Sequence, residues 1–389
     1  MKRLGVREHA ALASAILLLV AAVYAYRDRY AFMTAPLDAW FWDAKVFLAG
    51  GQILAAGGNP YATYVLRDPF PLPFVSPPAF AHLLGVTAAW CGPGLLDALV
   101  FGHLVSLIAV PLMLSRWFLG PGWTEAALGY GLLLGGFGAW GVTTLLAGNF
   151  GSTLYLLVFA GLGYQVATGQ WLPFHLAVIA ACQVKFPYAL FWAIPVMVNG
   201  WDWHELLNCL IAAALATAPY ALSALVEPGV FAIWMDRLAR QVYAGDVGIS
   251  VYGATWSRAV PTSCLPIVAH GVAMVGAFLL VLTDKTRGPM RLASIIVLVI
   301  AANPRMKEYD IAFATIPASA LYLAVLAPAN ASDRLKALAI GVVLAMMVVL
   351  LKVDRAPLIG PYAYALGLIG ALASLRFARK PPAVQPALA

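Results

Sequence analysis

Charge is scarce in this chain. Asp, Glu, Lys and Arg together make up 11% of the 389 residues, against 62% hydrophobic residues and a mean hydropathy of +0.85. So much apolar surface cannot be buried in one water-soluble core, which excludes a soluble domain and leaves a polytopic integral membrane protein. Cysteine is equally sparse: Cys91, Cys182, Cys209 and Cys264 lie far apart in or beside apolar segments. They form no CxxC or Cys/His metal spacing and read as small buried hydrophobes. The motifs of nucleotide handling and soluble hydrolysis are missing as well. There is no Walker A sequence, no G-x-G-x-x-G with an acidic partner, no G-x-S-x-G elbow, and no soluble domain to hold a nucleotide sugar. His82, His103, His175 and His270 are isolated, without H-E-x-x-H or paired spacing, and read as satisfied histidines rather than metal ligands. No metal site is expected. The net charge of +7 comes from short Lys/Arg clusters between apolar blocks. These are topology signals and contacts for anionic headgroups, so the bilayer is a partner and nucleic acid is not.

What the chain has is apolar runs. Taking about 20 residues per crossing, candidate spans fall at 9–26, 78–90, 94–115, 124–146, 149–167, 171–197, 205–225, 263–283, 289–303, 308–327, 336–353 and 360–377. An all-α fold of about twelve spans in one domain over residues 1–380 is expected, with a disordered tail over 381–389. The N-terminal run lacks a convincing cleavage site and reads as an uncleaved first span. A cytoplasmic N-terminus then puts the long loops 27–77 and 226–262, and the connection at 303–308, on the outside. Simple counting leaves the Gly148-Asn149 turn inside, whereas re-entrant half-helices would bring it to the outer face.

The loop over 27–77 is crowded with aromatics, Pro and Gly around one acidic position, Asp43. A carboxylate at a membrane boundary is costly to keep without a task. The segment DAKVFLAGGQIL from Asp43 to Leu54 has helical apolar spacing and ends at GGNPY; the following span opens with a proline in its first turn. Lys185 stands deep in the run IAACQVKFPYALF, where an unpaired cation costs ~2.5–3.5 kcal/mol. In the second loop, Phe231, Trp234, Leu238 and Val242 share one helical face, with Asp236, Arg237 and Arg240 elsewhere, as in a helix lying in the interface.

The series WDAKVFLAGGQILAAGGNPY followed by FVSPPAF resembles the first outer loop of the GT-C class of polyprenyl-phosphate-sugar-dependent glycosyltransferases. It is most similar to glycosyltransferase family 87, the bacterial alpha-mannosyltransferases. Three further segments match in order. Gly148-Asn149-Phe150-Gly151 stands where that family has Gly-Gln-x-Asn. Lys185-Phe186-Pro187 matches a Lys-x-x-Pro-like motif. The segment Asn303-Pro304-Arg305-Met306-Lys307-Glu308-Tyr309-Asp310 matches Ser-Pro-x-x-x-x-His, with Asn for Ser and Tyr-Asp for the frequent His. Ser76-Pro77-Pro78 replaces the usual Tyr-Pro-Pro. The similarity runs over about residues 38 to 325.

The resemblance implies a GT-C fold in a bacterial inner membrane, with an active site on the extracytoplasmic face. The donor would be a polyprenyl-phosphate sugar, mannose above all, and the acceptor a glycolipid or envelope glycan. Asp43 would be the catalytic base, with Asp38 the alternative. Tyr61, Asn149, Lys185, Asn303, Arg305, Lys307, Glu308 and Tyr309 would bind substrate. No cofactor is implied. One carboxylate suffices for this chemistry, because the departing phosphate monoester needs no protonation and only the acceptor hydroxyl must lose a proton. Charge growing on the phosphate must be met by fixed cations such as Lys185. A transporter or flippase for a lipid or small solute is the competing class, since many spans and a buried Lys also suit it.

Overall fold

The computed structural model describes residues 39–62, 64–66, 72–135, 140–200, 202–244, 265–283, 288–303 and 308–326, with a few positions between 20 and 36. These are mostly helical, with one two-stranded antiparallel ribbon. By length and composition two helices can cross a membrane, Gly94–Phe118 and Trp203–Val226; a bent pair, Gly141–Ala147 with Gly151–Thr168, is a third if it forms one span. The expected count of twelve is not reached among the described residues. The spans expected at 336–353 and 360–377, and all but a few positions of that at 9–26, lie outside them, and other apolar runs form shorter helices. The expected span 171–197 is divided at Lys185, and the expected span 124–146 falls into Trp123–Gly135 and Trp140–Ala147.

The chain groups into two compact units, residues 35–108 with 144–247, and residues 1–34 with 109–143 and 248–389. The first begins at α1, Trp42–Ala55, followed by β1, Tyr64–Leu66, and β2, Leu72–Pro73, and then α2, Pro78–Cys91. Helix α2 opens with Pro78, whose fixed φ suits a first helical position. α1 lies close on α2 because its glycines leave room. A Cβ on Gly51 would stand 2.8 Å from the Leu84 carbonyl oxygen, and one on Gly85 of α2 would stand 3.3 Å from Leu54, while a Cβ on Gly50 would collide with the Phe74 ring in the loop before α2. Small residues at a helix–helix contact let the two backbones approach closely. The helix expected over Asp43 to Leu54, read from the sequence as an amphipathic helix lying on the membrane surface, is present as Trp42–Ala55, and it buries Val46 and Phe47 within the protein. The chain continues through α3, Gly94–Phe118, whose first part belongs to this unit.

Beyond it come α4, Trp123–Gly135; α5, Trp140–Ala147; α6, Gly151–Thr168; and α7, Leu172–Val184. A 3-10 helix, Phe186–Trp192, leads into α8, Ala193–Asn199, then α9, Trp203–Val226, and α10, Pro228–Ala244. The first unit contains the last part of α5 and all of α6 to α10. Between α5 and α6 the direction changes by 111° at Gly148. Helix α7 stops at Val184 because Pro187 has no N–H for the Gln183 carbonyl; Lys185 takes an extended conformation, φ −142° and ψ 103°.

On α10 the sequence puts Phe231, Trp234, Leu238 and Val242 on one apolar face and Arg237 elsewhere. Trp234 is indeed buried, but Arg237 is half-buried. Its Nε and Nη2 donate to the Tyr61 carbonyl at 3.0 and 2.7 Å, and Nη2 also reaches Ala62 O at 3.1 Å. Trp234 Nε1 donates to Val75 O at 3.0 Å. The guanidinium thus satisfies two carbonyls of the loop that follows α1. Asp236 and Arg240 form an exposed i,i+4 ion pair.

In the second unit, α4 packs on α13, Glu308–Leu326, and α11, Leu265–Thr283, packs on α12, Pro289–Ala301, which packs in turn on α13. Helix α12 is buried from Ala293 to Ala301 and forms this unit's core.

Candidate active site

Asp43 is the second residue of α1. Just before it, Phe41 has φ 56°, the left-handed region, where a bulky side chain is strained by ~1–2 kcal/mol. Two contacts hold it there: its N–H donates to Leu146 O at 2.7 Å, and its backbone is pressed on Gly148. Gly148 has φ 63°, and a Cβ there would stand 2.9 Å from Phe41 Cα, so glycine is required on both grounds. One turn after Asp43, Phe47 meets Phe150 edge-on at 6.0 Å, and Phe150 stacks on Phe80 at 6.0 Å. This aromatic cluster clamps the α5–α6 turn against the start of α1 and brings Asn149 to Asp43.

The side chain of Asn149, 5% exposed, joins two charged groups. Its Nδ2 donates to Asp43 Oδ2 in a short hydrogen bond. Its Oδ1 accepts from Gly151 N–H at 2.7 Å and from Lys185 Nζ at 2.9 Å. Lys185 is thus paired with a polar acceptor at a helix break rather than stranded in an apolar span. Tyr188, three residues on, donates from Oη to Gly151 O at 2.9 Å. A Cβ on Gly151 would stand 2.7 Å from Asn149 Oδ1 and 3.0 Å from Lys185 Nζ, so the absence of a side chain there makes room for the amide and the ammonium.

The Asn149 backbone is fixed from behind. Its carbonyl accepts from Ser152 N at 3.1 Å and Ser152 Oγ at 2.8 Å. His103 on α3, fully buried, places Nδ1 2.6 Å from Ser152 Oγ and Nε2 3.2 Å from Leu145 O. It is the satisfied core histidine that the sequence suggests, but its position is informative because it ties both sides of the turn that carries Asn149. A polar residue in the middle of an apolar span was the one signal that could have found it.

Of the substrate-binding candidates, Asn149 and Lys185 are brought to Asp43. Tyr61 lies in the same unit but is 1% exposed, and its hydroxyl donates to Ser76 O at 2.8 Å. Burial, with the Glu227 carboxylate second, pushes its phenol far above the usual range, so it remains a donor. Packed on Phe74 at 5.5 Å, it holds the loop together. Asn303, Glu308 and Tyr309 belong to the other unit; Arg305, Lys307 and the alternative base Asp38 lie outside the described residues.

The histidines depart from isolation in two places. His82 pairs with Glu227 at 2.8 Å on the surface. His175 on α7 and Glu205 on α9 form a buried pair, Nε2 to Oε1 2.8 Å, with Cys209 beside them. All three ligand atoms lie within 4.8 Å of one another. The 2.8 Å separation within the pair is a hydrogen bond, and the second ring nitrogen of His175, Nδ1, is buried with no hydrogen-bond partner among the described residues.

No protein-family model, curated protein or solved structure matches the chain.

Proposed function

We propose that the chain is an inverting membrane glycosyltransferase that moves a sugar, mannose by the resemblance, from a polyprenyl-phosphate donor to a hydroxyl of a glycolipid or envelope glycan. The observation that carries this reading is a carboxylate and an ammonium, Asp43 and Lys185, held at opposite ends of one carboxamide where three helices start or break. One base and one cation are what the reaction needs. Asp43 takes the proton of the acceptor hydroxyl, whose oxygen bonds to the anomeric carbon. The bond from that carbon to the phosphate oxygen breaks, and its electron pair leaves with the polyprenyl phosphate, whose charge Lys185 meets. A donor dissolved in the bilayer needs no soluble nucleotide-binding domain, in keeping with the missing motifs.

The test is release of free lipid phosphate from a panel of polyprenyl-phosphate sugars by the purified protein. Release with one sugar, abolished in a folded Asp43→Asn variant, is the expected result. Turnover that persists in that variant, or no release from any donor, overturns the reading. A bacterial inner membrane with the site on the extracytoplasmic face is part of the same proposal, and reporter fusions across loops 27–77 and 226–262 test the side.

A further inference from the structure

Asn149 enters the reading above as a substrate contact, by resemblance. Its hydrogen bonds assign it a different task. A carboxamide offers two N–H donors and two lone pairs. Both lone pairs of Oδ1 are taken, by Gly151 N–H at 2.7 Å and Lys185 Nζ at 2.9 Å, and one Nδ2 hydrogen goes to Asp43. A backbone N–H and an ammonium can only donate, so the atom facing them must be the oxygen. The nitrogen then has to face Asp43, whose ionised carboxylate can only accept. The amide cannot flip without setting donor against donor on one side and acceptor against acceptor on the other. Its backbone is equally fixed, through Ser152 and His103.

We propose that Asn149 is the positioning residue of this site: its locked carboxamide aims one N–H at the Asp43 carboxylate and holds it ionised and directed. The inference rests on the reading of Asp43 as the base. It adds that this geometry outlasts donor binding. When a phosphate draws the Lys185 ammonium away, Gly151 N–H still holds Oδ1, and Nδ2 stays on Asp43. Among the described residues, the titratable groups on the elements that meet here include Lys45 on the same helix as Asp43, Lys185 and Tyr188 at the break after α7, Tyr155 on α6, which packs on Tyr188, and His103 on α3. The variants below leave all of them in place.

The test labels the full-length protein in detergent with dicyclohexylcarbodiimide, which reacts with protonated carboxyls, across a pH series. The Asp43 peptide is then quantified by mass spectrometry. Asn149→Ala removes the amide. Asn149→Asp is isosteric: it keeps an acceptor for Gly151 and Lys185, and with it any purely structural role, but replaces the donor to Asp43 by a like charge. A hydrogen bond to the ionised form favours that form and a like charge opposes it, so losing one and gaining the other both raise the pH of half-labelling. The midpoint is expected to rise by about one pH unit in Asn149→Ala and further in Asn149→Asp. With an active donor, kcat is expected to fall about 10- to 100-fold while donor KM changes less than about threefold. A wild-type midpoint or wild-type turnover in folded Asn149→Asp overturns the proposal. Sugar transfer that persists in Asp43→Asn sinks the reading of the base instead, and the labelling midpoint still decides the role of Asn149.

Discussion

Replacing Gly151 by alanine separates the site's geometry from the protein's stability. The added Cβ would stand 2.7 Å from Asn149 Oδ1, 3.0 Å from Lys185 Nζ and 3.5 Å from Tyr188 Oη. An ordinary carbon–oxygen contact needs roughly 3.3 Å or more, so Oδ1 must retreat by about 0.6 Å. Lys185 can give way at the end of a flexible chain. Asn149 cannot do so without turning its amide, because its backbone carbonyl is held by Ser152. Turning the amide breaks or lengthens the contact from Nδ2 to Asp43. A hydrogen bond to a charged group contributes about 1.5–3 kcal/mol, which corresponds to a rate loss of about 10- to 100-fold if it is needed in the transition state. Crowding costs stability, but Gly151 is the first residue of α6, where alanine recovers up to ~1 kcal/mol of helix propensity. The melting temperature in detergent should therefore move little while lipid-phosphate release falls. Gly161→Ala is the control. It lies ten residues along α6, about 15 Å away, and its Cβ would meet the α7 backbone, Phe174 Cα, at 2.8 Å. That variant should lose stability and keep its rate per folded molecule. A Gly151→Ala protein with both wild-type melting and a rate within about twofold of wild type would refute the assignment of Oδ1 to that space.

Gly148 and Gly169 have similar positive φ values, 63° and 77°, but only Gly148 is pressed on other atoms, Phe41 Cα at 2.9 Å. Alanine at Gly169 should cost the left-handed term alone, ~1–2 kcal/mol, whereas at Gly148 it should cost visibly more and lower the yield of folded protein, as read by thermal shift and size-exclusion chromatography. Arg237→Gln removes charged donors from the Tyr61 and Ala62 carbonyls and should lower stability by about 1.5–3 kcal/mol, with the melting temperature as readout; a smaller loss in Arg237→Lys would show that charge rather than fork geometry matters. Lys185→Met should raise donor KM and lower kcat together, since the cation meets the phosphate in both ground and transition states; an unchanged donor KM would remove Lys185 from the phosphate.

The local features of the site were legible in the sequence, and its connections were not. Asp43 at the head of a helix, the glycines after it and the proline start of α2 all follow from short-range chemistry: apolar spacing, the freedom of glycine and the fixed φ of proline. The break at Lys185 was missed although its cause, Pro187, was in view, because apolar runs on both sides read as one span when hydropathy alone is counted. The partners of Arg237 stayed out of view for a related reason. Helical spacing gives the face a residue occupies, but not the loop carbonyl that a long, forked side chain can reach around it. Asn149 is the harder case. It touches Asp43 across 106 residues of sequence and Lys185 across 36, so no window contains the contact. Nor does composition mark it, since an uncharged amide in an apolar chain raises no electrostatic alarm of the kind that singled out Asp43 and Lys185. Yet what links the two charges is a group with a donor at one end and an acceptor at the other. A sequence displays the members of such a pair separately. Resemblance marks Asn149 as a site residue, but its place between the two becomes visible only once the turn at Gly148 has folded it there.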